Sequence, residues 1–333
     1  MLAQMNAIVA PLPWQEPHWQ QLVLSKQQDH LPHGLMLRGP QGTGKSQFAM
    51  AFSQWILCVK PSGGIACGRC KSCQLLTVGT HPDLLLVEPE ETGKAIKIDQ
   101  IRHLLDFASK SAQFGGYRVV LIAPAESMNV NASNALLKCL EEPGTDTLLM
   151  LVTHQVSGVL ATIHSRCQAL DFPVPDQSQS LPWLMDMVGD QKKAEQLLRV
   201  ANGAPLAAVQ LNDRDWLKER ESVVKSWIAV FQGKLDPVKA ADAWRSLSLV
   251  EIIDWLLAWQ IDFNRYCAAG DAVVINQDLI PFFQTMKAHL KPARSHEFYD
   301  YLQQVKGMLI SQAKPNMQLL VEELLIRWSQ IRG

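Results

Sequence analysis

The 333-residue chain has almost no net charge, with 31 Lys and Arg against 32 Asp and Glu, a formal balance of −1. That excludes a surface basic all over, the kind that grips nucleic acid through its phosphates, though not a local basic patch. No eighteen apolar residues run together, so no segment is expected to span a membrane. The first thirty residues hold Pro11, Pro13, Pro17 and several Gln but lack the apolar core of a signal peptide, and a cytoplasmic location is expected. Low-complexity tracts and internal repeats are missing too. So is an even set of cysteines. There are seven, four of them crowded between positions 58 and 73, which reads as a metal site in a reducing compartment rather than a secreted disulfide framework. At this length, with 47% hydrophobic residues, two or three domains are expected.

What is present begins with Gly34–Ser46, GLMLRGPQGTGKS: a short apolar run, a glycine-rich turn, then an amphipathic helix pattern. Gly39, Gly44, Lys45 and Ser46 occupy every fixed position of G-x-x-x-x-G-K-[ST], and Gly42 lies within the turn. Small residues let backbone N–H groups wrap a phosphate, the helix N-terminus adds its positive end, and Lys45 supplies a point charge. The Ser46 hydroxyl suits Mg²⁺. A glycine turn with a chance lysine is the alternative, and the flanking strand and helix patterns weigh against it.

From Ser46 the helix is expected to bury Phe48, Phe52, Ile56 and Val59 on one stripe and to end at Pro61 and Gly63-Gly64. Cys58, Cys67, Cys70 and Cys73 follow as C-x8-C-x2-C-x2-C. Two-residue gaps bring adjacent thiolates onto one tetrahedral ion, with Gly68 permitting the tight turn. Four soft ligands select Zn²⁺ and leave no open position, which makes the site structural. Unpaired buried cysteines or a redox pair are the other readings. His81 in Gly79-Thr80-His81-Pro82-Asp83 is read as a turn or capping residue rather than a fifth ligand.

Strands are expected at 84–87, 117–122, 148–153 and 169–172, with helices at 98–110, 131–142 and 156–164. The run at 117–122 is the β-branched kind that a central parallel strand shows. In a P-loop ATPase this strand ends in an Asp that holds the Mg²⁺ shell and a neighbouring Glu that polarises water. Here it ends in Ala123-Pro124-Ala125. Glu126 is the first carboxylate, and an outward-facing position at a loop or helix start is expected for it. Beyond Pro173 and Pro175 the pattern is helical throughout, with Gly203-Ala204-Pro205 at a helix start. Three apolar stripes follow: Trp216, Val223, Trp227, Phe231; Leu249, Ile252, Ile253, Leu256, Phe263; and Met317, Leu320, Leu324, Trp328, Ile331. The six tryptophans beyond residue 200 are read as core or subunit-interface packing, because a base-stacking surface needs interleaved Arg and Lys.

Several motifs occur together in one order: the P-loop, the four-cysteine insertion, Gly79–Asp83, the run Asn134-Ala135-Leu136-Leu137-Lys138-Cys139-Leu140-Glu141-Glu142-Pro143, and Ser165-Arg166-Cys167. In this the chain resembles the bacterial clamp-loader AAA+ proteins of the DNA polymerase III holoenzyme, most densely over about residues 30–170. The resemblance implies an α/β P-loop AAA+ domain at 1–173, a parallel sheet flanked by helices and carrying a zinc module at 58–73. A small helical lid would follow at 174–213 and an all-helical collar domain at 214–333. It implies that Arg166 is an arginine finger reaching in trans into a neighbour's ATP site, where such a group is worth on the order of 10³–10⁵ in rate. Without the resemblance, Arg166 reads as a cap on the preceding helix's C-terminus.

The implied partners are the gamma/tau and delta subunits, and through them the sliding clamp, the polymerase core and primed DNA. The ATPase subunits of that family carry Asp-Glu where this chain has Ala123-Pro124, and an arginine where it has Leu206. Thr153 matches their polar sensor residue. Some non-hydrolysing members have a degraded P-loop, whereas this one is intact. The expectation is a site able to hold ATP and Mg²⁺ at Gly39, Gly42, Gly44, Lys45, Ser46 and Thr153 without cleaving it, so that the chain is neither polymerase nor active ATPase. The alternatives are an active gamma/tau-like ATPase using Lys45 and Ser46 with Glu126 or Asp83, and a zinc-dependent DNA reader, which the two basic residues inside the cysteine module, Arg69 and Lys71, do little to support.

Overall fold

The two strands at the middle of the sheet are short and apolar because both of their faces are covered. Arg118–Ile122 and Thr147–Thr153 are buried at every position, as strands between two helical layers must be. The computed structural model describes residues 7–91, 93–212, 216–310 and 316–332, and the chain divides into two compact units, one ending at Val209 and the other starting at Gln210.

In the first unit, helix α1 (Glu16–Gln27) precedes strand β1 (Gly34–Arg38) and helix α2 (Lys45–Leu57). Helix α3 (Lys71–Val78), β2 (Leu84–Val87), α4 (Ile98–Ala108), β3 (Arg118–Ile122), α5 (Val130–Glu141) and β4 (Thr147–Thr153) follow. The short α6 (Ala161–His164) and β5 (Gln168–Asp171) complete the sheet, and α7 (Gln177–Val188), α8 (Gln191–Val200) and α9 (Pro205–Asn212) make a helical appendage. The five strands are all parallel, in the order β2-β3-β4-β1-β5. This is an α/β P-loop architecture, a parallel sheet flanked by helices, with β4 between the P-loop strand and β3. Arg38 pairs with Thr153 on one side and Asp171 on the other, which brings those three residues to the carboxyl edge, where open α/β sheets place ligands.

Successive side chains point to opposite faces, and two cores result. Leu35, Leu37, Val119, Leu121, Met150 and Val152 pack with Phe48 and Phe52 of α2. Met36, Val120, Ile122, Leu149 and Leu151 pack with Ile101 and Leu104 of α4 and Leu136 and Leu140 of α5. Trp19 of α1 sits edge-on to Phe48 and Phe52, with centroids 5.6 and 5.7 Å away, so the N-terminal helix is part of the first core.

One expected stripe ends early. Helix α2 stops at Leu57, before Pro61, and Val59 is 57% exposed. Cys58 takes an extended backbone, φ −71° and ψ 125°, which turns its thiol towards the other three cysteines instead of continuing the helix.

The second unit is helical: α10 (Trp216–Phe231), α11 (Pro237–Trp244), α12 (Leu249–Ala269), α13 (Ile280–His289), α14 (Pro292–Ile310) and α15 (Met317–Ser329). Asp236, Ser248 and Asn316 cap α11, α12 and α15 by accepting backbone N–H bonds. All six tryptophans of this unit are buried, which leaves none as a stacking surface. Met317, expected on the inner stripe of α15, is instead 50% exposed at the helix's first turn. Trp227 and Trp328 stack with centroids 3.8 Å apart, and the Trp328 indole N–H donates to the Trp227 carbonyl at 3.0 Å. Trp328→Ala is therefore expected to cost about 3–5 kcal/mol in the unfolding of this unit, read by denaturant titration of the full chain. A loss under 1 kcal/mol would contradict that packing role. Among the described residues, no helix is long and apolar enough to cross a membrane.

Candidate functional site

The glycine-rich loop leaves β1 at Arg38 and enters α2 at Lys45, so its backbone runs over the sheet's carboxyl edge. Gly39 has φ 147°, and a Cβ there would lie 2.1 Å from the Phe172 carbonyl, so no larger residue fits. Gly42 has φ 82°, and its Cβ would meet the Ala207 Cβ at 2.7 Å. The start of α9 thus rests directly on the loop, and the Leu206 N–H donates to the Gly42 carbonyl at 3.0 Å.

The loop's carbonyls are taken by the chain itself. Lys45 Nζ donates to the carbonyls of Gly39 (2.6 Å) and Pro40 (2.5 Å), and the Thr43 hydroxyl donates to Pro40 as well. The Thr43 carbonyl accepts from Trp14 Nε1 at 3.0 Å and Gln15 Nε2 at 3.2 Å. Among the described residues, the N–H groups of Gly42, Thr43 and Gly44 have no protein acceptor. A loop with most of its carbonyls satisfied and these N–H donors free, at a helix N-terminus, is suited to an anion, and the donor set fits the phosphates of a nucleotide. Burial pushes Lys45 down to about 8, against the opposing charge of Glu126.

Around this loop the carboxyl ends of β3 and β4 contribute three groups. Thr153 is fully buried, and its hydroxyl accepts the Gln155 N–H at 3.2 Å. Ala123 and Pro124, joined by a cis peptide bond, offer no carboxylate at the strand end. Glu126 does not face outward as expected. A 3-10 turn, Ala125–Ser127, tucks it in, so that Oε1 accepts the His154 N–H at 2.9 Å while Oε2 is buried without a partner. His154 Nδ1 is likewise buried and unpartnered, and burial together with the Lys45 charge holds this ring below the ordinary histidine range. Sequence reading missed Trp14, Gln15 and His154. All three act across long stretches of chain, and nothing local to them signals it.

Arg166 lies at the opposite edge. It precedes β5, and its carbonyl would lie 3.3 Å from a Cβ on Gly34, the first residue of β1. The guanidinium pairs with Glu141, Nη2 to Oε1 at 2.6 Å and Nε at 2.9 Å, and Nη1 donates to the Thr162 carbonyl at 3.0 Å. Within one chain it therefore does cap α6, and it stands a strand's length away from the chain's own P-loop. Cys167 packs into the second core, which fixes the backbone beneath it. Asp83, an alternative metal ligand by sequence, is also at the amino edge. Its carboxylate accepts the N–H groups of Gln113 (2.8 Å) and Phe114 (3.0 Å) beside Arg118, which removes it from the P-loop.

The four cysteines converge. Their Sγ atoms all lie within 4.8 Å of one another, with Cys58–Cys70 and Cys67–Cys73 at 3.9 Å and Cys58–Cys73 at 3.6 Å. Zinc bonded to four sulfurs at about 2.3 Å separates them by about 3.8 Å, so these residues fit such an ion and are too far apart for disulfides. The N–H groups of Cys67 and Cys73 point at Cys58 Sγ (3.3 Å) and Cys70 Sγ (3.4 Å), and bonds from Arg69 and Cys70 bring the Cys67 thiol down to about 6. His81 is not a ligand. Its Nε2 bonds the Ser72 hydroxyl at 2.9 Å, that hydroxyl donates to the Leu57 carbonyl at 2.6 Å, and its Nδ1 accepts the Asp83 N–H at 3.1 Å. The cysteine module is thereby tied to the end of α2 and the start of β2.

Comparison with known proteins gives the family. The family described as "DNA polymerase III, delta subunit" matches residues 14–176, and "DNA polymerase III, delta subunit, C terminal" matches 214–330. The chain is 38% identical to the DNA polymerase III subunit delta' of Pseudomonas aeruginosa over 96% of its length and 98% of that protein's. It is 30% identical to the subunit delta' of Escherichia coli K12, covering 95% and 94%. A gamma subunit-related protein of Thermotoga maritima is similar in structure, with a TM-score of 0.49 and 18% identity over 94% of this chain and 100% of that one. By sequence along nearly its whole length, the chain belongs to the delta' subunit family of DNA polymerase III.

Proposed function

We propose that the chain is a clamp-loader subunit that binds ATP without hydrolysing it and lends Arg166 in trans to the ATP site of a neighbouring gamma/tau subunit. One observation carries this reading: Arg166 and the P-loop occupy opposite edges of one sheet. A guanidinium at the amino edge cannot serve its own loop, yet it is half-exposed and held only by Glu141 and helix-end acceptors, so a partner packed against that edge can take it. The lack of a carboxylate at Ala123-Pro124 supports the absence of hydrolysis. Gamma/tau and delta subunits would be the direct partners in the cytoplasm. The sliding clamp, polymerase core and primed DNA would be reached through them, and a structural Zn²⁺ would sit at Cys58, Cys67, Cys70 and Cys73.

The isolated chain with Mg²⁺ and ATP is expected to show no turnover above that of Lys45→Ala. Turnover abolished by Lys45→Ala would contradict this and favour the gamma/tau-like reading, for which the inward-turned Glu126 is the supporting observation.

ATP binding should also depend on pH. Free Lys45 titrates near 8, and a phosphate beside it would hold it charged. Above that pH binding must take up a proton, so affinity is greatest below pH 8 and falls by up to about tenfold per unit above it. Calorimetry in two buffers of different ionisation enthalpy would read the proton uptake, and a flat profile from pH 7 to 9.5 would contradict it.

A further inference from the structure

Glu126 and His154 leave two buried polar atoms unpartnered within electrostatic reach of the P-loop lysine. Oε1 of Glu126 is committed to the His154 N–H, which fixes the plane and direction of the carboxylate. Gly158 closes over its stem, for a Cβ there would touch the Glu126 Cβ at 2.8 Å. A carboxylate has two oxygens to satisfy, and that bond serves only one. This one holds a second oxygen out of solvent with nothing to accept from, a costly state that points to a missing partner. The Lys45 ammonium feels the Glu126 charge and acts in turn on the His154 ring. The three groups come from the carboxyl ends of β1, β3 and β4, the edge where the phosphates and the Ser46 hydroxyl would meet.

We propose that Glu126 is the magnesium-holding carboxylate of this P-loop site, reaching back from the turn after β3 to take the place that Ala123-Pro124 cannot fill. Mg²⁺ is bound in such sites by one or two carboxylates, a hydroxyl, the phosphates and several waters. Oε2 would face the ion directly or through one of those waters, and His154 Nδ1 would accept from another. A single carboxylate so engaged is not free to polarise an attacking water, so the site would retain Mg·ATP without cleaving it. The inference rests on the reading that this P-loop binds ATP.

The test is ATP binding by the full chain in Mg²⁺ and in EDTA. Wild type is expected to bind ATP in both and more tightly with Mg²⁺. Glu126→Gln should lose about 10- to 100-fold of the affinity in Mg²⁺, with binding in EDTA not weakened and thermal unfolding not lowered. Full retention of the magnesium gain in Glu126→Gln would overturn the proposal. Should that variant fail to fold, Glu126→Asp keeps the charge at a shorter reach. With the carboxylate drawn back, it is expected to need about tenfold more Mg²⁺ for the same gain, and an unshifted Mg²⁺ dependence there overturns the proposal equally. Absence of ATP binding by wild type in both conditions is a separate result, which overturns the nucleotide reading itself.

Discussion

Stripping the proposed Zn²⁺ from the four-cysteine centre is expected to melt residues 58–79 while leaving the C-terminal helical unit folded. The module has little else to hold it. Its own cluster is Cys58, Ala66 and Cys73, with Ile8 packed alongside, and beyond it Leu76 reaches into the first core with Ile65 packed against it, too little to offset the conformational entropy of some twenty residues. Structural Zn²⁺ contributes about 10–16 kcal/mol of binding free energy in small zinc domains, so the module's folding and its metal occupancy become one equilibrium. The effect should not stop at its boundary, because Ser72 bonds both the Leu57 carbonyl and His81. Hydrogen exchange after chelation is expected to lose protection through α3, the end of α2 and the start of β2, with β3, β4 and α10–α15 keeping theirs. Cys73→Ser, which replaces a fully buried thiol, should give the same pattern. Metal release should come as pH falls, since four thiolates must take up protons to let go. Unchanged protection after complete chelation would mean that the metal is not what holds this segment.

Replacing Arg166 with alanine is expected to leave the assembled loader intact and slow its ATP turnover on the order of 10³-fold at the site it completes. The two halves of that statement have separate causes. The Arg166–Glu141 pair is substantially exposed, with side chains 35% and 51% accessible, and such pairs contribute about 0–1 kcal/mol, so the fold barely notices the loss. The neighbour's phosphate would lose a planar donor in a site shielded from water, where positioned charge counts most. Arg166→Lys should rescue poorly, because an ammonium lacks the guanidinium's paired donors. To act in the proposed way, the guanidinium would have to exchange Glu141 for phosphate. Glu141→Gln, by weakening the resting contact, is expected to preserve turnover.

How much of this was legible in the sequence depends on how local each signal is. The strand at 118–122 reads as a continuous β-branched run because both of its faces are buried, and burial is complete there. The P-loop and the cysteine cluster are legible because backbone geometry and metal geometry each demand fixed residue types at fixed short spacings. Helix periodicity likewise placed Trp216, Trp227 and Trp328 in a core. The failures are of another kind. Val59 was assigned to the stripe of α2, but the need to aim Cys58 at its three partners overrides helix continuation. Met317 fits the period of α15, yet it sits in the first turn and is half-exposed. Glu126 was read as outward-facing from its place beyond the strand. What turns it inward is the His154 N–H, 28 residues further on, a contact that no spacing rule anticipates. The bracket of Trp14 and Gln15 on the Thr43 carbonyl is invisible for the same reason.

The most direct measurement is DNA-stimulated ATP turnover by a clamp loader reconstituted with either the wild-type chain or Arg166→Ala at matched stoichiometry. The account predicts complexes of equal size and a turnover reduced in the variant by the loss of one arginine at a neighbouring site. Equal turnover in the two assemblies would contradict the claim that this chain works by lending Arg166 to its neighbour.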